Sequence, residues 1–382
     1  LKWRLFDFSS EDVRMLHKGG FERVTDYSKA IDDCLGALRE AGHIRSEVDL
    51  AAVGFKTVVA KGVSGCVTLT EDVLRAMEAY NPIAPAHNPP YVLGIRLFAA
   101  RMPSVPLIGL FETAFYQWAS PASRRYGVPE RWYEAGVRRW GFHGASHKFV
   151  AERSAQLLGR EDVEVRARQL YVDGGASPVV GPNLRVISCH LGGSSSITGI
   201  LNGAAVGNSM GLSPQSGLPH NNRVGDLDSF AIPFVMRAMG LSRDEVEQQL
   251  CKESGLKGIS GVSNDLRDIQ TAADQGNERA QLAMDVFVHS ARHWIGSFLV
   301  ELGGLDALVF TAGIGENRAE MRETICGGMD WLGVKLDLEL NARTRGVEGV
   351  VSAVDSKVRV MVIPTNEELV VAREVRRLLM GR

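Results

Sequence analysis

The stretch from Arg185 to Asp228 constrains the chain most. It opens RVISCH, an apolar run ending on His190, and passes into Leu191-Gly192-Gly193-Ser194-Ser195-Ser196. SITGI follows, then the pair Asn202-Gly203 and a second extended run. The pattern predicts a strand, a loop of bare backbone N–H groups and hydroxyls, and a returning hairpin, because Asn-Gly between extended runs favours a tight turn. Glycine lets backbone approach an anion closely, and successive N–H groups form an anion-binding concavity. Arg223 arrives later with Asp226 and Asp228. A phosphate cradle, a cation and acidic residues in one segment point to phosphoryl transfer. Taken alone, Gly-Gly-Ser-Ser-Ser also reads as a plain surface turn, so the rest of the chain must decide.

At 382 residues the chain is long enough for two domains, at about 150 residues each. A net charge of −2 gives no reason to expect a nucleic acid or an anionic membrane as partner. The five cysteines, Cys34, Cys66, Cys189, Cys251 and Cys326, lack metal-type spacing and fit a reducing compartment. No apolar run approaches the ~18 residues of a membrane span, and no signal peptide is evident, so a cytoplasmic chain is expected. The chain opens mid-pattern on Leu1, which leads us to expect a missing segment before it.

Residues 1–113 read as one α/β unit. Strands are expected over 2–8, 51–60 and 106–111, and helices over 27–41, 69–80 and 91–102. Between the last two helices lies NPIAPAHNPP, whose four prolines predict a stiff loop holding His87. The strand at 106–111 delivers Glu112 at its carboxyl end, where ligands gather in open α/β sheets. Residues 114–367 read as a second, larger unit. A loop at 138–143 runs into a helix through Arg160. Helices are expected over 229–240 and 243–254, the second capped by Ser242, and a Gly/Ser loop over 258–268. A long helix over 284–302 carries the stripe Phe287, Ala291, Trp294, Ile295, Phe298 and Leu302. A strand over 305–311 meets a second glycine loop, Ala312-Gly313-Ile314-Gly315, with Glu316-Asn317 opening the next helix. A last strand over 357–363 precedes PTNEEL and a C-terminal helix.

Several segments together resemble one family, the acetate kinases with their propionate and butyrate kinase relatives. They are FETAFYQ from Phe111, GVRRWGFHGASHKFV from Gly136, CHLGGSSSITGILNG from Cys189 and SMGLSPQSGLPHNNRVGDLD from Ser209. GISGVSNDLRDI from Gly258, DALVFTAGIGENRAEMR from Asp306 and VIPTNEEL from Val362 complete the set. They fall in family order and cover essentially the whole chain. The resemblance implies two actin-like, ribonuclease H-like α/β domains flanking an active-site cleft, and a homodimer. The domains would be 1–113 with 368–382, lacking its first strand and phosphate loop, and 114–367, carrying the nucleotide site and the dimer interface.

The resemblance also implies roles. Arg223, His143 and Glu112 would be catalytic. Arg223 would stabilise the transferring phosphoryl group and His143 would hydrogen-bond it. His87, Thr57, Val59, Phe142 and Pro214 would line the substrate site. His190, Gly192, Gly193 and Ser194 would cradle ATP phosphates. Asp265, Leu266, Arg267, Gly313, Ile314, Gly315 and Asn317 would meet the nucleotide, and Glu367 would serve Mg²⁺. The implied reaction turns ATP and a short-chain carboxylate into ADP and an acyl phosphate by direct in-line transfer. These residue types suit it, because charge spreads over the equatorial oxygens of the group in flight and catalysis is mostly positioning and electrostatics.

Against the bland alternatives, His143 and His147 sit four apart as a metal pair would, but no Glu follows the first His as in a zinc protease. Glu367 could equally be a solvated first-turn residue. The chain also departs from the family pattern. It lacks the opening Asn and Ser-Ser-Ser loop. Thr57 falls where the substrate-binding arginine is expected, with Lys56 beside it on the opposite face of a strand. Glu112 replaces an Asp, Gly193-Ser194 an Asn-Gly, Ala312 a Gly and Ser216 a Glu. Ala86 stands in place of a larger wall residue, implying a roomier pocket. These departures keep two alternatives open: a nucleotide-binding module with weak or no acyl transfer, and a kinase for a different acceptor.

Overall fold

The computed structural model describes residues 1–10, 13–22 and 24–381. The chain forms two compact units, Leu1–Gln117 with Asn366–Arg382, and Trp118–Thr365.

In the first unit, β1 (Lys2–Asp7) and β2 (Arg14–Gly20) make an antiparallel pair. β3 (Val53–Thr57), β4 (Cys66–Thr68) and β5 (Leu107–Phe111) form a separate sheet in the order β3-β5-β4, with β3 and β5 parallel. The helix Tyr27–Glu40 starts where the Asp26 carboxylate accepts from the Lys29 N–H, and it buries Ile31, Cys34, Leu35 and Leu38 at helical spacing. The helix expected from residue 91 begins instead at Asn88. Proline is tolerated in a first turn, so Pro89 and Pro90 open the helix rather than prevent it. The buried Asn88 amide donates to Val59 O (2.9 Å) and Met77 O (2.8 Å), fixing the segment that carries His87. The C-terminal helix Glu367–Leu379 lies against β3. Gly54 permits that approach, since a Cβ there would meet Val371 Cγ1 at 2.9 Å. Glu367, in the helix's first turn, is thereby brought to the carboxyl end of β3.

The second unit is built on a six-stranded sheet in the order β10-β11-β9-β6-β7-β8. Its strands are β6 (Arg185–His190), β7 (Ser196–Leu201), β8 (Ala204–Asn208), β9 (Ala307–Thr311), β10 (Gly349–Val350) and β11 (Arg359–Val362). β6, β9 and β11 are parallel. Asn202 (φ 50°) and Gly203 (φ 81°) make the expected hairpin turn. Alternation along β6 divides its side chains. Ile187 and Cys189 join the apolar core with Phe287, Ala291, Ile295 and Phe298 of the helix Glu278–Leu302. Ser188 and His190 face the helix Gly144–Leu157 and bond to His147 and Ser146 on it. The long helix starts six residues before the expected position 284, because Asn277 caps it by accepting from the Ala280 N–H. Residues expected as a Gly/Ser loop over 258–268 instead end the helix Gly255–Ser260 and open the helix Leu266–Asp274. Among the described residues no helix is long and apolar enough to cross a membrane.

Candidate active site

Two polar clusters, one in each unit, gather most of the residues singled out from sequence.

In the second unit, both glycine segments sit at the carboxyl ends of the neighbouring parallel strands β6 and β9, where α/β sheets collect ligands. They are sewn to one another. Leu191 N–H donates to Thr311 O (3.0 Å), and Leu191 O accepts from the N–H groups of Ile314 (2.8 Å) and Gly315 (3.0 Å). Gly192 faces Ala312, whose methyl would lie 3.6 Å from an added Cβ. Within the first segment the Ser195 hydroxyl closes the turn onto Gly192, and the Ser195 N–H donates to His220 Nδ1 (3.0 Å). Burial pushes the His220 imidazole down to about 3 and keeps it neutral, so Nδ1 accepts while Nε2–H donates to Ser216 O (3.3 Å). Among the described residues, the N–H groups of Gly193 and Ser194 make no hydrogen bond within the chain, and neither residue is buried. Two backbone donors are thus left unspent where the sequence predicts an anion cradle.

The expected second glycine loop is a short helical segment, Ala312–Asn317. Ala312 adopts φ 65°, and its N–H donates to Glu316 Oε1 (2.7 Å), which also accepts from Thr365 N–H (3.2 Å). Arg322, fully buried, holds this segment from behind. It donates to Gly315 O, Glu316 O, Asn341 O and Oδ1, and Thr344 O, at 2.7–3.1 Å. The sequence reading passed over Arg322, although a charged residue at an apolar helix position was its signal.

The Arg223 guanidinium donates to Pro214 O (2.9 Å) and has no ion-pair partner among the described residues. Desolvation lowers its pKa from the ordinary arginine value. A mostly desolvated guanidinium without a carboxylate is disposed to take an anion. The turn carrying it requires Gly255 (φ 62°), where a Cβ would fall 2.5 Å from Arg223 O.

His143 begins the helix Gly144–Leu157 in the left-handed region (φ 57°, ψ 32°), a strained conformation for a residue with a side chain. Its Nδ1 lies 2.8 Å from Ser196 Oγ, and its ring stacks on His190 with centroids 4.0 Å apart. The fully buried His147 bonds Ser196 Oγ through Nε2 and Ser188 Oγ through Nδ1, both at 2.8 Å. Among the described residues no group of three or more His, Cys, Asp or Glu side chains is arranged to hold a metal. The two imidazoles meet on the Ser196 hydroxyl, each at 2.8 Å.

In the first unit, Lys56 Nζ bridges Glu112 (3.2 Å) and Glu367. Burial opposes its charge, but the carboxylates of Glu112 and Glu367 outweigh that effect and hold the ammonium charged well above the usual lysine range. Along β3 the two neighbouring side chains part. Thr57, expected at the substrate, is fully buried and faces Gly109 of β5, while Lys56 reaches the acidic pair. A lone cation in an apolar strand was the legible signal.

The remaining expected contacts have the following places. Val59 and Phe142 are buried, and Leu266 belongs to the core of the second unit. Asp265 caps its helix and pairs with Arg267 (2.5 Å), which holds the carboxyl down to about 2. The Asn317 amide turns back to Gly313 O (3.0 Å).

The profile of the Acetokinase family matches residues 16–373. The acetate kinase of Natranaerobius thermophilus is 39% identical over 406 residues, covering 99% of this chain and 96% of that protein. The acetate kinase of Treponema denticola is 41% identical over 399 residues, covering 98% and 96%. Among solved structures, an acetate kinase from Porphyromonas gingivalis superposes with a TM-score of 0.80 at 34% identity, covering 96% of this chain and 88% of that one. A propionate kinase from Francisella tularensis gives 0.81 at 32%, covering 95% and 88%. The α/β fold is the actin-like fold of these kinases. The chain belongs to the acetokinase family.

Proposed function

We propose that the protein is an acetate kinase-like phosphotransferase, converting ATP and a short-chain carboxylate into ADP and an acyl phosphate by direct in-line transfer. The observation that carries this reading is Arg223, a largely desolvated guanidinium with no carboxylate partner among the described residues. It lies in the unit that also presents two unspent N–H groups at Gly193 and Ser194. The cradle amides receive phosphate oxygens. The planar fork of Arg223 answers charge on the equatorial oxygens of the transferring group, and His143 adds a hydrogen bond.

The acceptor's carboxylate needs a cation, and Lys56 is the residue of this chain that supplies one in the first unit. His87, at the start of the helix anchored by Asn88, is assigned to the acceptor site in the same reading. Glu112 and Glu367 bring two carboxylates to one ammonium. That donor set fits Mg²⁺, which is commonly held by one or two carboxylates plus phosphate oxygens and water. When bound, Mg²⁺ supplies neutralisation of β- and γ-phosphate charge.

A homodimer is part of the same reading. The helix Ala231–Met239 buries none of its residues, and Phe230 and Phe234 are 79% and 63% exposed. A second copy of this chain is the occupant proposed for that face.

The test is acceptor-dependent ADP release from ATP–Mg²⁺ across acetate, propionate, butyrate and longer carboxylates, with calorimetry of nucleotide binding alongside. Release with at least one acid supports the kinase. Nucleotide binding without acceptor-dependent release supports the module reading instead.

A further inference from the structure

The hydrogen bonds around His143 form a line, Ser188–His147–Ser196–His143, each step 2.8 Å long. Ser188, His147 and Ser196 are all fully buried, so protons in this line must find acceptors inside it. Burial holds the His147 imidazole well below its ordinary pKa, with the neighbouring His190 adding to the effect, so the ring is neutral and carries one proton.

That proton has two places to sit. On Nδ1, it is donated to Ser188 Oγ. The Ser188 hydroxyl proton is then left without an acceptor, since its bond to His147 is its only one among the described residues. An unmet buried donor keeps its full desolvation penalty. On Nε2, the Ser188 hydroxyl donates to His147 Nδ1, His147 Nε2–H donates to Ser196 Oγ, and the Ser196 hydroxyl donates to His143 Nδ1. Every proton between Ser188 and His143 Nδ1 then has an acceptor.

We infer that Ser188, His147 and Ser196 are positioning residues, a one-directional relay that fixes His143 as the neutral tautomer with its proton on Nε2. His143 is thereby made an N–H donor suited to an anionic oxygen, and its Nδ1 is occupied as an acceptor. The left-handed backbone at His143 fits this arrangement, because it starts the helix on whose next turn His147 lies. The tautomer follows from the hydrogen-bond count around a neutral, buried His147; its catalytic consequence rests on the phosphotransfer reading.

The full-length protein labelled with ¹⁵N-histidine tests the relay by two-bond ¹H–¹⁵N correlation spectra, with His143 assigned by its loss in His143→Gln. The expected pattern for His143 at neutral pH is a protonated Nε2 and an unprotonated Nδ1. Ser196→Ala should mix the two tautomers and lower kcat about tenfold while nucleotide KM moves less than about twofold, the signature of an interaction made only in the transition state. Ser196→Thr, which keeps the hydroxyl, should restore both the spectrum and kcat. A His143 protonated on Nδ1 in the unmodified protein, or a Ser196→Ala spectrum and kcat identical to the parent, overturns the relay. An Nε2-protonated His143 in a protein without turnover would support the relay and sink the phosphotransfer reading.

Discussion

The polar clusters of the two units solve opposite electrostatic problems. In the second unit the donors are left available: Arg223 has no carboxylate among the described residues, Gly193 and Ser194 keep their N–H groups, and His147 and His220 are held neutral by burial. In the first unit the charges are already satisfied, with one ammonium shared between Glu112 and Glu367. The difference teaches where each cluster gains its selectivity. A preorganised set of unspent donors selects for phosphate with little rearrangement, whereas an ion-paired set admits a ligand only by offering it the same cation.

If that contrast holds, substitutions in the two clusters should fail differently. The largest effect belongs to the second unit. Arg223→Ala should lower kcat by about 10³–10⁵, the range for loss of a guanidinium clamp on a transferring phosphoryl group, with an unchanged circular dichroism spectrum. Arg322→Met should instead destabilise the fold by about 3–5 kcal/mol, because it removes a buried cation from several backbone acceptors; urea unfolding measures it. Lys56→Met should raise the acceptor's KM about tenfold, worth about 1.4 kcal/mol, and leave nucleotide affinity within about twofold. Equal effects of Lys56→Met on both substrates would erase the distinction between the clusters.

Neutral buried histidines also predict a pH dependence of stability. His147 and His220 resist protonation when folded but accept it when unfolded, at about pH 6.5. The unfolded state therefore binds more protons below that value, and stability should fall as pH drops, by up to about 1.4 kcal/mol per pH unit for each histidine. For His220 the loss should continue to about pH 3. Urea titrations between pH 7 and 5 should show the slope, and His220→Gln should reduce it. The smallest effect is expected of Asp265→Ala, which removes a helix cap worth about 1 kcal/mol and should leave kcat unchanged.

Much of the fold was legible because its signals are local. Asn202-Gly203 has few alternatives to a hairpin, and the long apolar stripe has few alternatives to a buried helix. The glycine segments and Arg223 were legible because anion chemistry restricts residue type and the motifs resemble those of a known family. What escaped detection depends on tertiary neighbours. Whether Lys56 or Thr57 faces the acidic pair is decided by the register of β3 against β5 and by the first turn of the C-terminal helix, both distant in sequence. That Leu266 joins the apolar core was not legible from its motif, because the packing of its helix decides it. The start at Asn88 was missed because proline was read as a breaker, when its place in the first turn makes it a starter.

Acyl phosphate trapped as the hydroxamate, in the parent and in Arg223→Ala at matched folding, tests the central claim most directly. The account predicts carboxylate-dependent, ATP-dependent hydroxamate from the parent and at least about a thousandfold less from the variant. Comparable yields from the two proteins would contradict it.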